Sequence, residues 1–294
     1  MEFTTAEAVV KGVKNLYSLP DIYFQLNEMI RDPRFSLDDI GKVIGKDPAL
    51  SARLLRVVNS PYYGFQSRID TITRAITVVG VDDLYNLVVA TCVVDRFAKI
   101  PTDLIDMTSF WMRSVHCGLL ARLLAKNSAV LHAERLFLAG LLREVGALVL
   151  YQKMPEQALR VLLAIDHDRR LLPAFEQKII GFTHAEVGRE LLKSWGLPES
   201  LYEVIGHYLD PDVIQVHRLD AHILNLAGRL VDDSERGRAA EDTLLEIGEQ
   251  TLGIIRLTRE QIVLIVEQAA ADFFQVFELL APEKKFRTGI AKPN

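Results

Sequence analysis

The run from Phe137 to Val149 constrains this chain more than any other stretch. At 3.6 residues per turn, Phe137, Leu138, Leu141, Leu142, Val145, Leu148 and Val149 fill one broad arc. The other arc holds Ala139, Gly140, Arg143, Gly146 and Ala147, all small except the arginine. Small residues at helical spacing let neighbouring helices come close, so a helix of this pattern is covered on both sides and sits at the centre of a domain. Arg143 and Glu144 are its two anomalies. Whether they stand in for a catalytic pair is the question the remaining residues must answer.

Nearly every other segment also reads as helix. Thr4-Thr5-Ala6-Glu7 offers a capping box before Val9, Val10, Val13 and Leu16, and Ile22, Leu26, Met29 and Ile30 share a face before Asp32-Pro33. Ser36 is an N-cap for Leu37, Ile40, Val43 and Ile44, and Asp47-Pro48 combines an N-cap with a proline at the first helical position. Thr71 opens a helix that Gly80 closes, and a long apolar helix follows to about Lys99. Beyond Pro101-Thr102-Asp103, read as a hinge, helices are expected over 110–126, 133–152, 156–166, 173–180, from the Thr183-His184-Ala185-Glu186 capping box to Trp195, after Leu197-Pro198, and over 216–231. Asp232 to Arg238 reads as a charged loop, and Thr258 caps a last helix. No strand alternates over more than four residues, so the fold class is all-α. The expected organisation is a helical lobe over 1–100, a second over 101–281 and a frayed tail over 282–294.

Composition narrows the function. With 49% hydrophobic and 25% charged residues among 294, the chain is an ordinary globular one with a sizeable core. A net charge of −5 argues against a general nucleic-acid coat. Cys92 and Cys117 both lie in apolar helical patterns, which makes them core thiols and leaves no disulfide framework or cysteine zinc site. The most apolar stretch, Val78 to Val94, is broken by Asp82, Asp83 and Asn86 and cannot span a bilayer. The first residues carry no basic stretch followed by an apolar run, so a secretory leader is not expected and the cytoplasm is.

Three constellations carry chemistry. His116, His184 and His207 each lie in a helical segment of the second lobe and could meet at one centre, as the imidazoles of a metal phosphohydrolase do; structural histidines on polar edges are the commoner explanation. Ser36 to Ser60 reads helix, turn, helix, with Arg53 and Arg56 on the second helix. Residues 31–74, however, carry eight Lys and Arg against five Asp and Glu, a small excess that favours a packed αα-hairpin over a DNA reader. The loop from Asn59 to Arg74 gathers Asn59, Ser60, Tyr62, Tyr63, Arg68 and Arg74. It is either a cap and packing element or an interaction surface, and one loop can be both.

Asp47-Pro48-Ala49-Leu50-Ser51-Ala52-Arg53-Leu54-Leu55-Arg56-Val57-Val58-Asn59-Ser60, followed by Tyr62-Tyr63-Gly64, resembles the signature of the HDOD family, the HD-related output domains of bacteria. Ile69 to Ile76 with Gly80, Ala139 to Leu142, Thr183 to Gly188 and Trp195-Gly196-Leu197-Pro198 match as well, in the family's order, over about residues 15 to 230. The resemblance implies an all-helical, non-enzymatic signalling module with an HD-like C-terminal lobe. Its implied partner is another signalling protein: a sensor kinase, a response regulator or a cyclic-dinucleotide enzyme. Against the catalytic HD superfamily, His116 falls at the first histidine, Arg143-Glu144 at the His-Asp doublet, His184 and His207 at later histidines with Tyr208 following, and Gly228 at the terminal aspartate. Arginine cannot ligate a metal, because it stays protonated and offers no lone pair. The resemblance therefore implies no metal, no cofactor and no catalytic residue, with the vacated cleft lined by His116, Arg143, Glu144, His184 and His207. A nucleotide-binding regulator, with Arg143 as phosphate anchor, and a residual metal-dependent phosphohydrolase are the alternatives.

Overall fold

Six of the α-helices start where a side-chain cap is available. In the computed structural model, which describes residues 5–12, 19–97 and 103–280, Thr5, Ser36, Asp47, Thr71, Asp106 and Thr183 each accept a backbone N–H at the start of a helix. Ser36 with Asp39 and Thr183 with Glu186 form reciprocal capping boxes. The sequence expectations for Val13, Leu16, Pro101, Thr102 and the 282–294 tail lie outside the described residues.

Two units result, Met1–Ser18 with Pro101–Ala271 and Leu19–Ile100 with Asp272–Asn294. This differs from the expected division at 100, since the first helix counts with the larger unit and the end of the last helix with the smaller. The smaller unit contains α2 (Asp21–Arg31), α3 (Leu37–Gly45), α4 (Pro48–Val58), α5 (Ile72–Val79) and α6 (Val81–Phe97). Tyr23, Leu26, Ile44, Leu54, Ile76, Leu84 and Phe97 form its core. The larger unit contains α1 (Ala6–Lys11), α7 (Met107–Asn127), α8 (Glu134–Leu142), α9 (Val145–Lys153), α10 (Pro155–Ile165), α11 (Leu172–Ile179), α12 (His184–Ser194), α13 (Glu199–His207), α14 (Arg218–Glu235), α15 (Ala240–Leu245) and α16 (Glu249–Ile255). The last helix, α17 (Arg259–Leu280), supplies residues to both. No strand occurs among the described residues, and no single helix there is long and apolar enough to cross a membrane.

The small arc of the central stretch permits close approach. A Cβ added to Gly140 would lie 2.6 Å from the Gly118 Cα, so α8 meets α7 backbone to backbone. One added to Gly146 would lie 2.1 Å from the His184 carbonyl oxygen, so α9 meets α12 in the same way. The single helix expected over 133–152 is in fact two. Arg143 retains helical angles, whereas Glu144 sits at φ −106°, ψ 10° and ends the run before α9 begins. The apolar period continues across this break, which is why the sequence pattern does not show it.

A second correction concerns α14. It continues through the stretch read as a charged loop and ends at Glu235, with Arg236 as its C-cap. Asp232 is therefore helical, one turn beyond Gly228.

Candidate functional site

The break between α8 and α9 delivers Arg143 and Glu144 into a cleft of about 430 Å³ in the larger unit. Both side chains are almost wholly buried, at 3% and 5% exposure. Arg143 Nη2 donates to Asp232 Oδ1 at 2.5 Å and lies 2.7 Å from Glu144 Oε1, while Nη1 donates to Asp232 Oδ2 at 3.3 Å. Its room comes from Gly228, where an added Cβ would stand 2.1 Å from Arg143 Nη1. The absence of a side chain at Gly228 and the Asp232 carboxylate one turn later on α14 thus both accommodate the guanidinium.

Glu144 is held from other sides too. Its Oε2 accepts from Arg169 Nη2, and Arg113 Nε lies 3.6 Å away. Burial works to raise the pKa of this carboxyl, but the charges of Arg169, Arg143 and Arg113 outweigh it and hold the group well below the usual carboxylate range. Burial likewise opposes the charge on Arg143, yet Asp232 and Glu144 keep it protonated.

A second buried chain runs beside this network. Glu176 Oε2 accepts from the His184 backbone N–H at 2.9 Å and lies 2.6 Å from its Nδ1; His184 Nε2 lies 2.6 Å from the Tyr208 hydroxyl. Asn225 Nδ2 fixes the Tyr208 carbonyl at 2.8 Å. Burial disfavours the imidazolium, but the charge and hydrogen bond of Glu176 prevail and raise the His184 pKa. The Tyr208 phenol is pushed well above its ordinary value by burial and by the carboxylates of Glu144, Asp232 and Glu176, so it stays protonated. Burial raises the Cys117 thiol to about 12, which rules it out as a thiolate nucleophile at neutral pH.

Of the five residues expected in the cleft, Arg143, Glu144 and His184 line it. His116 and His207 do not. His116 is a mostly buried residue of α7 whose pKa is lowered by desolvation. His207 Nδ1 faces the Glu203 carbonyl oxygen at 2.9 Å, on its own helix. Sequence reasoning missed Asp232, Glu176, Arg169 and Arg113, and mentioned Tyr208 only as the neighbour of His207. Asp232 had a signal, its helical spacing from Gly228. Glu176, buried in the middle of a short helix, had none.

The loop candidates lie in the smaller unit. Asn59 is spent on structure: its amide oxygen accepts from the Ile69 N–H at 2.7 Å, and its Nδ2 donates to the carbonyls of Ile69 and Leu55 at 2.6 and 2.8 Å. Ser60 Oγ donates to the Val57 carbonyl at 2.6 Å. Tyr62 packs edge-on to Tyr63, which stacks on Phe65, while Arg68 and Arg74 are exposed. Asn59, Ser60, Phe65 and Arg68 border a cavity of about 820 Å³; Tyr62, Tyr63 and Arg74 do not. Arg53 donates to Asp95 at 2.9 Å and is 12% exposed, a packing role.

The HDOD domain profile matches residues 16–211. The chain belongs to the HDOD family. An uncharacterised protein of Treponema pallidum (strain Nichols) is 29% identical to this HDOD chain over 203 residues, which is 68% of the chain and 39% of that protein. The chain thus spans well under half of the curated relative it matches. Two solved structures share the fold at 22% identity. A protein of Shewanella amazonensis, provisionally named a phosphohydrolase, has a TM-score of 0.75 with 96% of this chain and 100% of that one covered. An HDOD domain protein with unknown function from Geobacter sulfurreducens has a TM-score of 0.71 with 93% and 97% covered. A third, provisionally named a signal transduction protein, comes from Marinobacter aquaeolei, with a TM-score of 0.67, 20% identity and coverage of 92% and 60%.

Proposed function

We propose that this HDOD chain is a non-enzymatic signalling module of the cytoplasm that acts by binding another signalling protein, of the class of a sensor kinase, a response regulator or a cyclic-dinucleotide enzyme. The observation that carries the non-enzymatic part is the Arg143 guanidinium seated between Asp232 and Glu144 over Gly228. A phosphohydrolase metal needs imidazole and carboxylate lone pairs with open positions. Here the carboxylates face arginines, and both ring nitrogens of His184 have partners of their own. Among the described residues no group of three His, Cys, Asp or Glu is placed to hold a metal ion. The donor set does not fit one.

The partner-binding part draws support from the family and from the loop over 59–74, which the Asn59 bonds hold rigid beneath its aromatic cluster and exposed arginines. Rigidly held aromatic and arginine side chains make good contact anchors. Cross-linking with candidate signalling proteins is the test. The expected result is a complex that Arg68→Glu with Arg74→Glu weakens and that cleft substitutions leave alone. A complex indifferent to both arginines would remove the loop from the proposal.

A further inference from the structure

The cleft of the larger unit carries two arginines that its buried network does not use. Arg143 and Arg169 are turned to Asp232 and Glu144, whereas Arg170 and Arg229 line the same cavity with side chains 35% and 36% exposed. Arg229 makes no hydrogen bond among the described residues, and its one ion pair runs from Nη2 to Glu246 Oε2 at 3.6 Å. Arg170 Nε and Nη2 donate to the two Asp168 carboxylate oxygens at 3.0 Å, and its Nη1 meets no acceptor among the described residues. With about a third of each side chain exposed, the spare N–H groups are within reach of a solute. The two arginines are tied together across the rim, since Asp233 is shared by Arg170 and Arg238, and Glu246 by Arg238 and Arg229. With Asp168, which Arg170 shares with Arg236, three carboxylates at the rim face four arginines. The two carboxylates of the lining, Glu144 and Asp232, are matched by Arg143 and Arg169, so they do not cancel the excess. Pro173, Ala174 and Leu209 add an apolar side to the same cavity, and none of the three is fully buried.

We propose that this cleft binds a phosphate monoester with a small apolar body, its phosphate oxygens accepting from Arg170 and Arg229 and its body lying against Pro173, Ala174 and Leu209. At neutral pH a monoester brings close to two negative charges and three acceptor oxygens, which suits two guanidinium forks better than a singly charged diester does. The contacts it displaces are the long ones of the rim, Arg229 to Glu246 at 3.6 Å and Arg170 to Asp233 at 3.7 Å. A volume of about 430 Å³ is in the range of small-molecule sites. Arg143 is not the anchor, because Asp232 and Glu144 already hold it. The inference goes beyond the proposed function, which assigns this cleft no ligand, and does not rest on it. Metal-dependent hydrolysis would overturn that reading and leave this one standing, since binding is read here without metal.

Calorimetry on the full chain, in phosphate-free buffer with chelator, tests it with phenyl phosphate, inorganic phosphate, phenol and diphenyl phosphate. One phenyl phosphate should bind per chain, about tenfold tighter than inorganic phosphate because the ring buries apolar surface. Diphenyl phosphate, a singly charged diester with a larger apolar body, should bind about tenfold more weakly than the monoester, and phenol should give no heat. Arg229→Gln breaks no hydrogen bond, so it should leave Tm unchanged while weakening phenyl phosphate about tenfold or more. Arg170→Gln should weaken it likewise; if that variant does not fold, Arg229→Gln carries the test alone. No heat with millimolar phenyl phosphate, phenol, diphenyl phosphate or inorganic phosphate binding as tightly as phenyl phosphate, or binding that survives Arg229→Gln would each overturn the proposal.

Discussion

Replacing Arg143 with methionine leaves Asp232 without its two-pronged partner and Glu144 short of one of the cations around it. Removing one member of a buried ion-pair network costs about 3–5 kcal/mol, so Arg143→Met should lower the urea midpoint strongly without changing the slope. Gly228→Ala should destabilise by about 1–3 kcal/mol, because the added methyl falls on the guanidinium. A double-mutant cycle should find the two changes strongly non-additive, and additivity would mean that Gly228 does not serve Arg143. His184 gives a pH signature. Its pKa is higher folded than unfolded, so its contribution is complete below the ordinary imidazole value and is lost as pH rises through the folded one. Stability measured across that window should fall with rising pH in the native chain and lose this component in Glu176→Gln. Glu144 behaves in the opposite sense: with its folded pKa depressed, its contribution is full above the ordinary carboxylate range and is lost only in strong acid.

Among the elements, the starts of α3, α4, α5 and α12 were legible because a cap is a local bond between a side chain and a backbone N–H three residues on. Thr183→Ala, which removes one half of the α12 capping box, should cost about 1 kcal/mol and displace His184, the first residue of that helix. Thermal melts would check the first effect and the His184 NMR titration the second. The break at Glu144 was not legible. It contains no glycine or proline, and Leu142 and Val145 keep the apolar period on either side of it. The reach of α14 to Glu235 was hidden for a related reason, since a charged helical turn facing a buried network has the composition of a loop. Consequently Arg143, Glu144 and His184 could be named from sequence, whereas the residues that hold them, Asp232, Arg169 and Glu176, come from distant segments and gave little or no local sign.

At the scale of the whole molecule, chain order and spatial units diverge. Helix α1 packs on α12 and α9 of the larger unit, with Val9 and Val10 buried, although the whole smaller-unit helical run follows it in sequence. Deleting residues 1–12 should therefore destabilise the larger unit, with about 1.5–3 kcal/mol at stake for each buried valine. Hydrogen exchange should show the loss in α12 and α9, with α2 to α6 unchanged. The family's fold accounts for the arrangement of helices, and the arginine in its cleft accounts for the proposed loss of chemistry. The most direct measurement is turnover of phosphate esters, including cyclic dinucleotides, by the purified chain with added Mn²⁺, Mg²⁺ or Fe²⁺. No rate above the uncatalysed background is expected with any of the three metals. Hydrolysis that requires the metal, disappears with chelator and returns on its replacement would contradict the proposal that Arg143 has taken the place of chemistry in this cleft.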